Sequence, residues 1–327
     1  MKAPSKPANE ALRIDTLRAL HLLDTDPEER FDRITRLARR LFDVPVALVS
    51  LVDKQRQWFK SHQGLETRET PRDVSFCGHA ILDDDVFVIE DAFKDPRFSE
   101  NPLVIGAPGI RFYAGYPLTV PNGSNLGTLC IIDYEPRIFA EEDMALLRDL
   151  GHMAEQEVAG LYLATMDELT NLSNRRGFTM LGGHTLGMCR RLNEDASLLY
   201  FDLDRFKQIN DRFGHAEGDQ ALRCFAMLLR ETFRESDVIG RLGGDEFAIL
   251  LTGASAREVS TVLERLQQAV DEANGEGHCG YKLAYSVGDV AFDPDQHGDI
   301  DALIGEADQL MYQRKRAAHK ASAKPSP

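Results

Sequence analysis

The stretch VIGRLGGDEFAILL, residues 238–251, carries the most informative pattern in the chain. Two short apolar runs flank a Gly-Gly pair, and glycine accepts the positive φ angles that tight hairpin turns require. The pattern predicts a β-hairpin, and two carboxylates, Asp245 and Glu246, directly follow its turn. Acids held at a rigid turn suit a hard cation such as Mg²⁺, which takes oxygen ligands. Gly-Gly-Asp is also ordinary turn composition, so the hairpin taken alone favours a solvated turn.

Length and composition bound the possible function classes. A chain of 327 residues predicts two domains. The net charge of −15 argues against a nucleic-acid partner, because a nucleic-acid-binding surface is basic. Residues 1–10 lack the apolar core of a signal peptide, and the longest mainly apolar run, residues 44–52, is too short to span a membrane. Together with five scattered cysteines, these features predict a cytoplasmic protein.

The first half of the chain predicts an α+β domain. Apolar residues at three- and four-residue spacing predict helical structure over residues 9–42, broken by the DTDP sequence at 24–27. β-branched and aromatic runs predict five strands, over residues 44–52, 57–61, 86–89, 116–120 and 126–132. We therefore expect an antiparallel sheet with flanking helices.

Six blocks in this half resemble a GAF domain. They are LDT at 23–25, FD at 31–32, SLVD at 50–53, QWFKS at 57–61, SFCGHA at 75–80 and LGTLC at 126–130. The resemblance implies a GAF-like sensory domain over residues 1–163, with an unknown small ligand as a possible partner and the effect of that ligand left open. Cys77, His79 and Cys130 form a metal cluster only if folding brings them together; the alternative is a structural turn at Cys77 and His79.

Residues 139–166 contain no proline and repeat apolar side chains near a three-four spacing. This pattern predicts a linker helix that closes the first domain and continues into the stalk of a homodimer. The alternative is a last helix that only packs on its own sheet.

The second half predicts another sheet. A short apolar strand at 198–201 ends at Asp202, and further patterns predict helices at 220–234, 256–274 and 301–318, a strand at 282–290, and the hairpin. We expect a palm-like α/β sheet with helices over one face. In such a sheet Asp202 lies beside the hairpin turn, so three carboxylates converge as a two-metal phosphoryl-transfer site requires.

Five blocks in this half, in order, resemble a GGDEF diguanylate cyclase domain, expected over residues 164–327. They are DELTNLSNRR at 167–176, FDLDRFKQIND at 201–211, GHAEGD at 214–219, RLGGDEF at 241–247 and ADQLMYQRK at 307–315. The resemblance implies a sensor-regulated enzyme that condenses two GTP into cyclic di-GMP and two pyrophosphates. Each domain would bind one GTP, so two domains must meet face to face.

The resemblance also implies the metal site. Asp202, Asp245 and Glu246 match the family's metal-binding and catalytic acids, and the carbonyl of Leu203 is a further ligand. The implied cofactor is Mg²⁺ (or Mn²⁺), which would stabilise phosphate charge during transfer.

Four more residues match substrate contacts of the family. Asn210 and Asp219 match the guanine readers, and Lys207 and Lys315 match phosphate contacts. The alternatives from the residues alone are a helix cap at Asp219 and a solvated position for Lys207.

Arg234 and Asp237 match the family's product-inhibition site, and the alternative for this pair is a surface ion pair. The chain departs from the family pattern at two positions. Asn171 stands where a glycine is frequent, and His319 stands where an arginine that contacts phosphate is common.

Two other functions compete with the cyclase. The first is a catalytically silent receptor for cyclic di-GMP that binds through the Arg-x-x-Asp pair. The intact acids Asp202, Asp245 and Glu246 argue against it. The second is a cyclase of altered base choice, which the presence of Asp219 disfavours.

Overall fold

The computed structural model divides the chain into two units, Met1–Leu163 and Ala164–Pro327. It describes residues 1–234, 236–254, 256–275 and 280–322. Among these residues, no helix has the length and apolar character needed to cross a membrane.

The N-terminal unit is built on one six-stranded sheet in the order β3-β2-β1-β6-β5-β4, with every neighbouring pair antiparallel. The strands are β1 Val46–Val52, β2 Arg56–Gln63, β3 Glu69–Pro71, β4 Phe87–Ile89, β5 Phe112–Thr119 and β6 Asn125–Asp133. All five predicted strands are present. The additional strand, β3, has three residues and contains a proline, so it carries little sequence signal and forms the sheet's edge.

The helices in this part of the chain are α1 Glu10–Ala19, α2 Glu29–Leu41, α3 Cys77–Ala80, α4 Pro102–Ile105 and α5 Glu141–Thr165. The predicted break at 24–27 separates α1 from α2. The buried side chains of α2 include Phe31, Ile34 and Ala38, whereas Leu37 and Leu41, which continue the three- and four-residue spacing, are exposed. The predicted helix at 139–166 corresponds to α5.

The residues considered for a metal cluster in this unit do not form one. The Sγ atoms of Cys77 and Cys130 lie 3.7 Å apart, whereas His79 donates a hydrogen bond from Nε2 to the Lys2 carbonyl at 3.1 Å. In the part of the chain that the structure describes, no three His, Cys, Asp or Glu side chains are grouped to hold a metal ion.

The C-terminal unit has a four-stranded antiparallel sheet in the order β10-β7-β9-β8. Its strands are β7 Ala196–Leu203, β8 Val238–Gly243, β9 Glu246–Thr252 and β10 Tyr285–Ala291. Its helices are α6 Arg175–Leu192, α7 Phe206–Phe213, α8 His215–Thr232, α9 Ala256–Gly275 and α10 Ile300–Ser322.

Helices cover both faces of this sheet, so the prediction of helices over one face is wrong. Leu199 and Phe201 of β7 belong to the hydrophobic cluster formed with α8 and α9. Leu198 and Tyr200 belong to the cluster formed with α6 and α10. The sequence pattern did not reveal α6, because four glycines interrupt its apolar residues.

A buried ion cluster ties α1 to the N-terminal sheet. Arg13, which is fully buried, donates to Glu10 at 2.9 and 3.1 Å and to the Val52 carbonyl at 2.5 Å. Arg72 donates to the same Glu10 carboxylate. Burial alone would raise the pKa of Glu10, but the hydrogen bonds from both arginines outweigh it and lower that pKa to about 2.

We expect Glu10→Gln to lower the free energy of unfolding of this unit by about 2 kcal/mol at pH 7, because two buried guanidinium groups lose their counter-charge. The folded pKa lies below the unfolded value of 4.5, so the stabilisation is complete above that value. It is lost as pH falls from about 4.5 toward about 2. Urea unfolding followed by the fluorescence of Trp58, the single tryptophan, measures it.

The matched control is Glu29→Gln, because Glu29 pairs with Arg36 on the exposed side of α2 and its loss should cost little. A difference between parent and Glu10→Gln that stays constant from pH 7 to pH 3.5 would contradict this account.

Candidate functional site

The hairpin predicted from residues 238–251 is present. Strands β8 and β9 pair up to Gly243 and Glu246, and the turn between them consists of Gly244 and Asp245. Gly244 has a φ of +48°, the left-handed region in which a residue without Cβ is least strained.

One arginine fixes the position of this turn. Arg241 donates from Nε and Nη2 to the Gly244 carbonyl at 2.9 and 2.8 Å. Its Nη1 donates to both carboxylate oxygens of Asp167, at 3.0 and 3.1 Å. The Arg241 side chain is 13% exposed, and its hydrogen bonds to Asp167 are partly buried, whereas those to the Gly244 carbonyl are exposed to water.

Residues 166–174, which precede α6, are also bound to β8. Ser173 forms a parallel bridge with Gly240, and its carbonyl accepts a hydrogen bond from the Arg241 amide at 2.8 Å. A Cβ at position 240 would lie 2.8 Å from the Phe178 ring, so this close approach needs glycine. Asn171 has a φ of +54°, which explains structurally why glycine or asparagine suits this position.

The strand register gathers the predicted acids at one end of the sheet. Asp202 of β7 lies directly opposite Glu246 of β9, and the Leu203 amide donates to the Asp245 carbonyl at 3.1 Å. Two cations lie among these acids. Lys315 Nζ of α10 donates to Asp202 Oδ1, and Arg175 Nη2 lies 3.8 Å from Glu246 Oε2.

The surroundings of Asp245 disfavour the charged form of its carboxyl group. Burial raises the pKa of Asp245, and the negative charge of Asp202 raises it further. Burial and the charge of Glu246 likewise raise the pKa of the Tyr200 phenol. A cation added at this place would relieve both effects. The acids are therefore electrostatically suited to a bound metal ion.

The available donors at this site are carboxylate and carbonyl oxygens, which suit Mg²⁺ or Mn²⁺. However, within the described ranges no three acids already surround a common point. The three predicted acids thus lie near one another along the strands, but in the described residues they do not form a set of metal ligands. One of these acids, Asp202, is already paired with the ammonium of Lys315.

The two predicted guanine readers lie on neighbouring helices. A Cβ at Gly218 would lie 1.9 Å from Asn210 Oδ1, so the Asn210 amide rests against the first turn of α8, beside Asp219. Both side chains are half-buried. Lys207 is exposed on α7, four residues after the end of β7.

The predicted product-inhibition pair forms a turn. The Arg234 amide donates to Asp237 Oδ2 at 2.9 Å, and the Asp237 amide donates to the Arg234 carbonyl at 3.0 Å. Both residues line a cavity of about 130 Å³ that Arg265 of α9 also lines. Burial raises the pKa of Asp237, so a cation or a hydrogen-bond donor in the cavity would be favourable.

Several residues of the site were missed by sequence reasoning. Arg175, Arg241 and Asp204 fall inside the recognised blocks, but their roles depend on contacts with residues far away in the chain. Arg265 has no local signal. His319 belongs to α10, and its side chain lies outside what the structure describes.

Comparison with known proteins supports both resemblances. The family model "Diguanylate cyclase, GGDEF domain" matches residues 164–321, and the model "GAF domain" matches residues 26–158. Diguanylate cyclase DgcP of Escherichia coli is 32% identical over 268 residues, covering 76% of this chain and 76% of that protein.

Two other relatives match over shorter regions. Cyclic di-GMP phosphodiesterase PA2567 of Pseudomonas aeruginosa is 42% identical over 200 residues, covering 61% of this chain and 32% of that protein. Probable diguanylate cyclase DgcC of Escherichia coli is 35% identical over 165 residues, covering 50% of this chain and 44% of that protein. The chain therefore spans less than half the length of these two relatives.

We expect Arg241→Met to lower the free energy of unfolding of the C-terminal unit by about 2 kcal/mol, because Asp167 and the Gly244 carbonyl lose charged donors. Amide exchange in the hairpin turn should also become faster. Hydrogen exchange with mass spectrometry and thermal unfolding measure these effects.

Arg314→Met is the matched control, because Arg314 is 48% exposed and pairs with Asp289 on the surface. It should cost no more than about 0.5 kcal/mol. Equal exchange rates at the hairpin turn in the two variants would show that Arg241 does not hold the turn.

Proposed function

This chain belongs to the family of GGDEF diguanylate cyclases, with a GAF domain before the GGDEF domain, and we propose that it condenses two GTP into cyclic di-GMP and two pyrophosphates. The observation that carries the proposal is the strand register that sets Asp202 opposite Glu246, next to the turn that holds Asp245. Because the reaction uses GTP, we propose that the protein acts in the cytoplasm.

Cyclases of this family use a divalent metal, and we propose Mg²⁺ or Mn²⁺ here. Asp202, Asp245, Glu246 and the Leu203 carbonyl would hold it. A bound metal ion neutralises the triphosphate and stabilises charge that develops at the α-phosphorus. Burial and the nearby charge of Asp202 both disfavour the Asp245 carboxylate in the absence of a cation, which supports this assignment.

The protein's own side chains would bind and orient the nucleotide. The Asp219 carboxylate would accept hydrogen bonds from the N1–H and N2–H groups of guanine, with the Asn210 amide beside it. Adenine would leave these groups unpaired, which is a strong source of discrimination. Lys207 and Lys315 would contact the phosphates, and correct placement of a 3′-hydroxyl against the α-phosphorus lowers the barrier.

One domain supplies one GTP site, so we propose that the active form is a homodimer. Apolar side chains that are exposed on the N-terminal unit support this proposal. They include Leu37 and Leu41 on α2, and Met153 and Leu163 on α5. An ion pair between Arg33 and Glu157 links these two helices. A ligand of the GAF domain would then regulate the enzyme.

We further propose that cyclic di-GMP inhibits the enzyme at the cavity of Arg234, Asp237 and Arg265. Two guanidinium groups and a carboxylate there match the phosphates and the guanine edge of the product. A phosphodiesterase activity is not proposed, because most of PA2567 lies outside its match with this chain.

The test of the cyclase is incubation with GTP and Mg²⁺, followed by separation of the nucleotides. Parent protein should form cyclic di-GMP, and the rate per chain should fall on dilution if a dimer is needed. Asp245→Asn should lower the rate at least about 100-fold, since it removes a metal ligand. It should not lower stability, because burial disfavours the carboxylate.

Asp289→Asn is the control, because Asp289 is a surface acid on β10 that pairs with Arg314. Near-parental turnover by Asp245→Asn would show that the metal assignment is wrong. Binding of cyclic di-GMP without any turnover by the parent would instead identify a silent receptor.

We expect Arg234→Ala to weaken inhibition by cyclic di-GMP about tenfold or more and to leave the initial rate unchanged, since Arg234 is a charged partner of the product. Progress curves with added product measure this. Arg257→Ala, an exposed arginine on α9, is the control. The same inhibition constant in Arg234→Ala and the parent would exclude this cavity as the inhibitory site.

A further inference from the structure

The ammonium group of Lys315 contacts two acidic side chains at the site. Lys315 Nζ donates to Asp202 Oδ1 and lies 3.9 Å from Asp204 Oδ1. Asp204 is itself fixed, because its Oδ1 accepts a hydrogen bond from Ser286 Oγ at 2.8 Å. The lysine side chain is 24% exposed, so its charge is partly withdrawn from water. Lys315 is thus held between two carboxylates.

The position of this ammonium conflicts with the metal ion of the proposed reaction. Asp202 is one of the proposed ligands, and its Oδ1 cannot offer the same lone pairs to a metal ion and to Lys315. An ammonium held on one ligand would also repel a divalent cation at close range, and this repulsion is strong where water is partly excluded. A metal ion that binds Asp202 Oδ1 therefore has to displace Lys315.

A triphosphate offers Lys315 a new partner. Once the nucleotide is present, the ammonium can exchange a carboxylate for phosphate oxygens and remain paired. Without nucleotide, metal binding would leave a partly buried ammonium with Asp204 as its remaining counter-charge. The energetic cost of displacing Lys315 is therefore smaller when the nucleotide is bound.

We propose that Lys315 is a stand-in cation that occupies Asp202 in the nucleotide-free protein and thereby makes metal and nucleotide binding cooperative. The proposal rests on the proposed cyclase function and deepens it. Cooperativity of this kind is reciprocal, so the nucleotide increases metal affinity by the same factor by which the metal increases nucleotide affinity.

Two simpler roles of Lys315 predict different results. A lysine that only contacts phosphate would, when removed, weaken nucleotide binding and leave metal affinity without nucleotide unchanged. A lysine that only stabilises the fold would, when removed, weaken the binding of both. Only removal of a stand-in cation changes the two affinities in opposite directions: metal binding becomes tighter and nucleotide binding becomes weaker.

The experiment measures Mn²⁺ binding to the full chain by electron paramagnetic resonance of free Mn²⁺. Each protein is titrated with and without a GTP analogue that has a methylene bridge between the α- and β-phosphorus. Lys315→Met should bind Mn²⁺ about five- to tenfold more tightly than the parent in the absence of nucleotide, the size expected for a partly exposed charged hydrogen bond. The enhancement of Mn²⁺ affinity by the analogue should shrink by at least that factor.

Two further variants complete the comparison. Lys315→Arg keeps the positive charge and should bind Mn²⁺ without nucleotide as weakly as the parent does. Arg314→Met removes the neighbouring cation, which pairs with Asp289 and not with Asp202, and should also behave as the parent. Circular dichroism checks that each variant is folded.

Unchanged or weaker Mn²⁺ affinity of folded Lys315→Met without nucleotide would overturn the proposal, as would equal tightening in Arg314→Met. The measurement without nucleotide decides the role of Lys315 by itself. Failure of the GTP analogue to bind any of the proteins would contradict the proposed cyclase function, which separates the two failures.

Discussion

The pairing of β7 with β9 is the constraint on which the chemistry of the C-terminal unit depends. A shift of one residue would turn every side chain of β7 to the opposite face and would move Asp202 away from Glu246. Burial on both faces prevents such a shift, because Leu199 and Phe201 belong to one hydrophobic cluster and Leu198 and Tyr200 to the other. The core therefore determines the position of the acid that ends the strand.

The second constraint is the contact of Arg241 with the hairpin turn. The register places Glu246, whereas Asp245 lies in the turn, where its carbonyl accepts a hydrogen bond from the Leu203 amide of β7. Arg241 binds the Gly244 carbonyl and Asp167 at the same time. The turn is therefore tied by a charged contact to residues 166–174, which precede α6. The close approach of Ser173 to Gly240 keeps those residues beside β8.

Local patterns predicted the strands and the hairpin because each depends on neighbouring residues: β-branched runs, Gly-Gly and a following acid. The second layer of helices was not predicted, because α6 lacks a clear apolar repeat and only tertiary contacts show that both faces of β7 are buried. The site was predicted as a set of residue types through a family resemblance. Its ion pairs were not, because Lys315 and Asp202 are 113 residues apart and no motif links them.

Two charge clusters in this chain show how a structural role differs from a binding role. Glu10 sits between two arginines, and their hydrogen bonds lower its pKa, so the folded protein already favours the charged form. Asp245 has the opposite shift, because burial and the charge of Asp202 raise its pKa. A carboxylate that is already paired with arginines, such as Glu10, is not stabilised by a further cation. A carboxylate held near another acid, such as Asp245, is stabilised by a cation that binds beside it. The net charge of −15 describes neither cluster, since charges are screened beyond roughly 8 Å. The side chains within that distance decide what each site can bind.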